Sequence, residues 1–254
     1  MRSTKRHFLA RPPGRAVAVL GESIQGFEGV RTMLKKVFLM MVVLLAGTQD
    51  SFGEAIWTNP ITGTNPNTAN PYTFGQSVAG GLTVDGIGRG MGISGAAAND
   101  RYNASSWNTL ALDTNAFFTF SMAPNGGNQL NFTDFQVTLQ RSNSSIANYE
   151  FRSSLDSFTS NIGAISYPGS GIAATSQTVS LVSSTFQGIQ GNVEFRLFAW
   201  GAGTSANTLS VNDFAFTGSV TAVPEPTSIA LVSLMCCTGF VAAFRRRIAK
   251  SKIA

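Results

Sequence analysis

The chain has 254 residues, 43% of them apolar and 12% charged, with 18 Lys and Arg against 13 Asp and Glu. So little charge, with abundant Gly, Ser, Thr and Asn, argues against a helical protein. The net +5 belongs to the two ends: residues 56–222 hold five arginines, eight carboxylates and no lysine, a net of −3. A nucleic-acid partner is excluded, because phosphate binding needs a basic face on the folded part. The only His is His7 and the only Cys are Cys236 and Cys237. The middle therefore has no imidazole base, thiolate or lysine nucleophile, which excludes Ser-His-Asp and Cys-His triads, His/Cys zinc sites and disulfides there.

Residues 1–32 show no apolar periodicity, and Arg11-Pro-Pro-Gly-Arg15 breaks any helix. Met33, Lys35 and Lys36 precede an apolar run of 11 residues, Val37–Gly47, too short to span a bilayer comfortably. Residues 33–55 are thus predicted to form a secretory signal helix, to be handled by the export translocon and signal peptidase. Small residues at Gly53 and Ala55 favour cleavage after Ala55, with cleavage after Gly53 as the rival. Translation is expected to start at Met33, making 1–32 non-native; an extended N-terminal region is the alternative. Thr48 stands where a lipoprotein signal would need Cys.

Residues 56–222 are punctuated every few positions by Gly, Ser, Thr and Asn between short β-branched and aromatic runs. Gly86-Ile-Gly88-Arg-Gly90 is read as strand or turn glycine, since no helix follows and no Lys is present for a phosphate loop. Ala116–Met122 alternates Phe118, Phe120 and Met122 on one face. In the next run Phe135, Val137 and Leu139 lie opposite Gln136, Thr138 and Gln140. Asn192–Trp200 places Val193, Phe195, Leu197 and Ala199 inward and Glu194, Arg196, Phe198 and Trp200 outward. Leu209 and Val211 change phase before Phe214 and Phe216, so a bulge or turn is expected at Asn212-Asp213. Seven or more such runs predict an all-β fold, an antiparallel β-sandwich of jelly-roll type.

Three groups of side chains in this region bear on chemistry. Glu150-Phe-Arg152 and Glu194-Phe-Arg196 repeat one phrase on two predicted strands, each Glu beside its Arg on one face. On neighbouring strands the four charges could form a cross-strand ladder. A glycosidase pair is the other reading, disfavoured because a general acid needs a carboxyl held protonated, which an adjacent guanidinium opposes. Asp85, Asp156 and Asp213 near glycine-rich turns are weak candidates for a structural Ca²⁺, with turn-forming roles preferred because no spaced Asp-x-Asp motif is present. No other metal or cofactor is expected. Phe198 and Trp200 beside Arg196 form a candidate carbohydrate platform, unless that side is buried beneath the second sheet or a loop. Trp57 and Trp107 are weaker candidates, with no strand pattern around them.

The tail runs Val223-Pro-Glu-Pro-Thr-Ser, then Ile229–Phe244 (IALVSLMCCTGFVAAF), then Arg245, Arg246 and Arg247. Counted from Ser228 the uncharged run is 17 residues, about 25 Å as a helix, at the lower limit for a transmembrane helix. The arginines should stay cytoplasmic, leaving 56–222 on the exported side and a basic tail over 245–254. Cys236 and Cys237 are small apolar residues within that run. In this order of features residues 223–250 resemble the PEP-CTERM sorting domain of Gram-negative bacteria. The resemblance implies recognition of Pro224, Glu225 and Pro226, with the arginine cluster behind them, by the membrane enzyme exosortase, and removal or exchange of the tail. Residues 86–220 also resemble the globular part common in PEP-CTERM proteins. The resemblance is carried by Gly88-Arg-Gly-Met-Gly-Ile93, Arg101-Tyr-Asn with Trp107, Tyr149–Asp156 with Phe158, and Phe195–Ala202 with Val211-Asn-Asp213. An inner-membrane intermediate followed by delivery to the cell surface or extracellular matrix is therefore expected. The leading reading is a sorted surface or exopolysaccharide-matrix protein without enzymatic activity. A carbohydrate-binding sandwich of that matrix is the alternative, and a carboxylate-dependent glycosidase or lyase the third.

Overall fold

The computed structural model describes residues 53–107, 110–167 and 171–223, and the fold below is that of these residues. In chain order the strands are β1 (Glu54–Asn59), β2 (Ser77–Val78), β3 (Leu82–Arg89), β4 (Ser94–Gly95), β5 (Tyr102–Ser105) and β6 (Phe117–Pro124), followed by β7 (Asn128–Arg141), β8 (Asn148–Ser153), β9 (Thr175–Ser180), β10 (Val193–Trp200) and β11 (Leu209–Ala222). The only helical pieces among the described residues are two single 3-10 turns, Ser154–Asp156 and Ser184–Phe186.

All strand pairs are antiparallel, in two sheets. One sheet has four strands in the order β3-β6-β10-β8. The other has seven strands around β11. Along one edge β11 pairs with β7, which carries β9; along the other it meets β5 through Leu209–Val211 and β1 through Phe214–Gly218.

The expected alternation is present. Phe118, Phe120 and Met122 on β6, Phe135, Val137 and Leu139 on β7, and Val193, Phe195, Leu197 and Ala199 on β10 are all buried. Rings from the two sheets meet in the middle: Phe151 of β8 stacks on Phe135 of β7 at 4.4 Å, and Phe120 of β6 lies edge-on to Phe214 of β11 at 5.0 Å. Phe195 of β10 contacts Phe132 of β7 and Phe216 of β11 at 5.4 and 5.2 Å. This makes the architecture an antiparallel β-sandwich with one aromatic core. Each large apolar side chain removed from water contributes roughly 1.5–3 kcal/mol, which is how the domain holds together without a disulfide.

The phase change in β11 is a bulge. Val211 pairs with Leu139 and Asp213 with Thr138, so Asn212 is the extra residue and both Leu209/Val211 and Phe214/Phe216 face inward. A second bulge, in β3, was not anticipated: the register slips between Val84 and Ile87, with Gly86 at φ +93°. Beyond it Ile87 exchanges two backbone hydrogen bonds with Tyr72, at 2.8 and 3.1 Å, which covers the outer edge of β3.

Strand β1 begins at Glu54, paired with Gly218, and Ala55 pairs with Thr217. The strand thus begins two residues before position 56, where the exported domain is expected to start. The expected signal segment up to 52, residues 1–32 and the expected transmembrane helix 228–244 lie outside the described residues. No helix among the described residues is long and apolar enough to cross a membrane.

Candidate functional site on the outer face of the four-stranded sheet

The register of three strands sets this face. Arg196 of β10 lies opposite Arg152 of β8 on one side and Thr119 of β6 on the other; Phe198 lies opposite Glu150 and Phe117. The two Glu-Phe-Arg phrases therefore lie on neighbouring strands. The ion pairs run within each strand and not across: Arg196 Nε donates to Glu194 Oε1 at 2.7 Å, and Arg152 pairs with Glu150. The cross-strand ladder does not form. Antiparallel pairing sets arginine against arginine, so each guanidinium turns to the carboxylate two residues back on its own strand.

The like charges are accommodated by aromatic rings and a carbonyl. Arg196 Cζ sits 3.8 Å from the centre of the Phe158 ring and 4.2 Å from that of Phe117. Arg152 Nη1 donates to the Phe158 carbonyl at 2.9 Å, and its Cζ is 5.5 Å from the Phe198 ring. Thr119 Oγ1 adds a second donor to Glu194 Oε1 at 3.0 Å. The turn that brings Phe158 here is strained: Ser157 and Phe158 have φ of +60° and +61°, a region costly for a bulky side chain.

Phe198 is only 2% exposed, with its ring edge-on to Phe117 at 5.4 Å, so it offers no face to a sugar. The expected platform is corrected on this point: the outward side of β10 carries its own small aromatic cluster under Phe117 and Arg152. Trp200 is half-buried, pairs with no ring among the described residues, and its indole N–H finds no described acceptor. Trp57 and Trp107 belong to the core, their N–H groups donating to Gln76 Oε1 at 3.2 Å and to the Ala104 carbonyl at 2.9 Å.

Glu150 lies opposite Phe198, four residues along β10 from Glu194, a backbone offset of about 13 Å, and each carboxylate is engaged by the arginine two residues further along its own strand. The carboxylates suggested for Ca²⁺ are likewise apart, Asp85 on β3, Asp156 in a 3-10 turn and Asp213 on β11, and no metal-holding group of three or more such side chains occurs among the described residues. Asp156 takes its turn role: its carboxylate accepts from the Ser160 N–H at 3.0 Å and the Thr159 N–H at 3.3 Å. What little burial it has would raise its pKa, but these bonds together prevail and hold it below the usual carboxylate value. Asp213 accepts from Thr138 Oγ1 at 3.0 Å.

No protein-family model matches the chain, and no curated protein matches it.

Two functional-looking residues were missed in the sequence. Arg89 and Arg141 are 8% and 2% exposed. Arg89 donates to four backbone carbonyls, of Asn103, Asn67, Ala69 and Pro66, and its Cζ sits 3.6 Å over the Tyr102 ring. Arg141 donates to the carbonyls of Gly171, Ser144 and Ile146 and lies over Tyr167 at 4.1 Å. The signal was present: Arg89 shares parity with buried Ile87, and Arg141 with Val137 and Leu139. Both arginines tie loops to the sandwich rather than reach for a ligand. The residues expected to act in sorting, Pro224, Glu225, Pro226, Arg245, Arg246 and Arg247, lie outside the described residues.

Proposed function

We propose that this chain is an exported β-sandwich of jelly-roll type, sorted by its C-terminal tail to the cell surface or extracellular matrix, and that it is not an enzyme. The jelly-roll reading rests on the way successive long strands alternate between sheets and on the pairing of the first strand with the last. The observation that carries the non-enzymatic reading is the outer face just described: each carboxylate of the Glu-Phe-Arg pairs is spent on the arginine beside it, and the two stand four residues apart. The export reading rests on the two lysines and apolar run after Met33, and on the resemblance of residues 223–250 to a PEP-CTERM signal. On this reading the translocon, signal peptidase and exosortase are the chain's partners before it matures.

Deleting residues 224–254 is expected to leave a soluble, mislocalised protein in cell fractionation. Surface delivery unchanged by that deletion would refute the role of the tail. A carbohydrate-binding role in an exopolysaccharide matrix is the second reading, favoured by the partly exposed Arg196 and Trp200 on one strand face.

A further inference from the structure

We propose that Arg196 is an oxyanion subsite for a carboxylated sugar residue, with Trp200 completing it along the same strand. This inference deepens the carbohydrate-binding reading above and rests on it.

The guanidinium is built for one direction of approach. Its Nε is occupied by Glu194, while no described residue accepts from Nη1 or Nη2, and 25% of the side chain is exposed. Two parallel N–H donors of that kind match a carboxylate bidentately. The group is also held in place beforehand. Phe117 and Phe158 pack on it, and the second of these rings is presented by a turn with two successive left-handed residues. Orientation fixed in the free protein lowers the entropy lost on binding.

The surroundings favour a sugar over a peptide. β10 is an inner strand, its backbone paired on both sides with β6 and β8, so an extended peptide finds no sheet edge to join. A pyranose ring needs none. Its apolar C–H face suits the exposed parts of Phe117 and Phe158, its carboxylate can accept from the Nη groups that Glu194 leaves unengaged, and the hydroxyls of a further sugar can accept from the Trp200 N–H. Trp200 lies four residues from Arg196 on the same face, about 13 Å, so an oligomer rather than a single sugar spans the two. Diffuse attraction does not explain such binding, because residues 56–222 carry a net −3 and repel polyanions at long range.

The test is calorimetric titration of the purified full chain, in non-ionic detergent, with oligogalacturonate, its neutral methyl ester and polyglutamate. Oligogalacturonate should bind, the methyl ester should not, and polyglutamate should bind more weakly. Arg196→Lys keeps the charge and loses the fork, and should weaken oligogalacturonate binding about tenfold with little change in melting temperature. If that variant does not fold, Trp200→Ala decides, with a several-fold loss expected and an unchanged affinity overturning the site. No binding by the wild type, equal binding of Arg196→Lys, or polyglutamate binding as tightly as the sugar would each overturn the proposal. The last result would assign the face to an acidic peptide. Failure here with normal surface delivery removes the sugar site alone, whereas failure of tail-dependent sorting leaves these titrations untouched.

Discussion

Arg89 decides how one end of the sandwich closes. It stands on β3 of the four-stranded sheet, yet its Nε donates to Asn103 on β5 of the other sheet, and its Nη groups hold the carbonyls of residues 66–69. Burial lowers its pKa and the neighbouring Tyr102 partly offsets that, and its charge is met by carbonyl dipoles and a ring face, with no counter-ion among the described residues. Asn70 covers the outer edge of β3 at its last residue, its side chain accepting from the Arg89 N–H at 2.7 Å and donating to the Arg89 carbonyl at 3.1 Å. An ammonium group cannot meet four carbonyls in this arrangement or stack on a ring. Arg89→Lys should therefore destabilise the domain by about 2–4 kcal/mol in urea unfolding. Strand parity alone marks Arg89 and Arg141 as inward. Their partners were not legible, because the carbonyls that hold them come from loops up to 30 residues away.

At the scale of elements, the strands with clean period-two patterns were legible and the departures from pattern were only half so. The phase change in β11 announces itself by two apolar pairs out of step, and the bulge at Asn212 is where it falls. The bulge in β3 carries no such mark, since Asp85-Gly86 also reads as an ordinary turn. What sets it is the approach of another segment. A Cβ on Gly86 would stand 2.6 Å from the Tyr72 carbonyl oxygen, at a φ of +93°. Gly86→Ala should cost about 2 kcal/mol or more in thermal or urea unfolding, from strain and collision together. Gly127 is the internal control: its φ is +81° but nothing lies within 4 Å of a Cβ there, so Gly127→Ala should cost only about 1 kcal/mol. Equal costs at the two positions would remove the close approach as the cause. The outer face of β10 was legible as a row of outward residues, but the burial of Phe198 was not. Nothing in its own strand tells that Phe117 and the turn at Ser157-Phe158 come to lie over that row.

For the molecule as a whole, each sheet holds a buried phenol. Tyr102 on β5 of the larger sheet and Tyr149 on β8 of the smaller are both pushed up to about 12, chiefly by burial, against an ordinary value of 10.0. A raised phenol pKa means the folded chain keeps a proton that the unfolded chain has begun to lose. The stability these residues confer is complete below pH 10 and declines as the pH rises from 10 towards 12. Each contributes a loss of about 2–3 kcal/mol over that interval, so denaturation midpoints in urea should fall steeply above pH 10. Tyr149→Phe should remove about half of that fall, and an identical profile in the variant would exclude Tyr149 as a source.

By itself the sequence determined that the folded part is all-β, which residues of its regularly alternating strands point to the core, and that its catalytic repertoire excludes His, Cys and Lys. These are local properties: side chains alternate with a period of two along any strand, and composition needs no neighbour. Only the tertiary structure decided that the two Glu-Phe-Arg strands lie side by side with arginine facing arginine, that Phe198 is covered, and that Arg196 keeps two donors free of any described partner. Those depend on which strands pair and in what register. Pairing is set by the summed fit of rings such as Phe135, Phe151, Phe195 and Phe216, drawn from distant parts of the chain into one core.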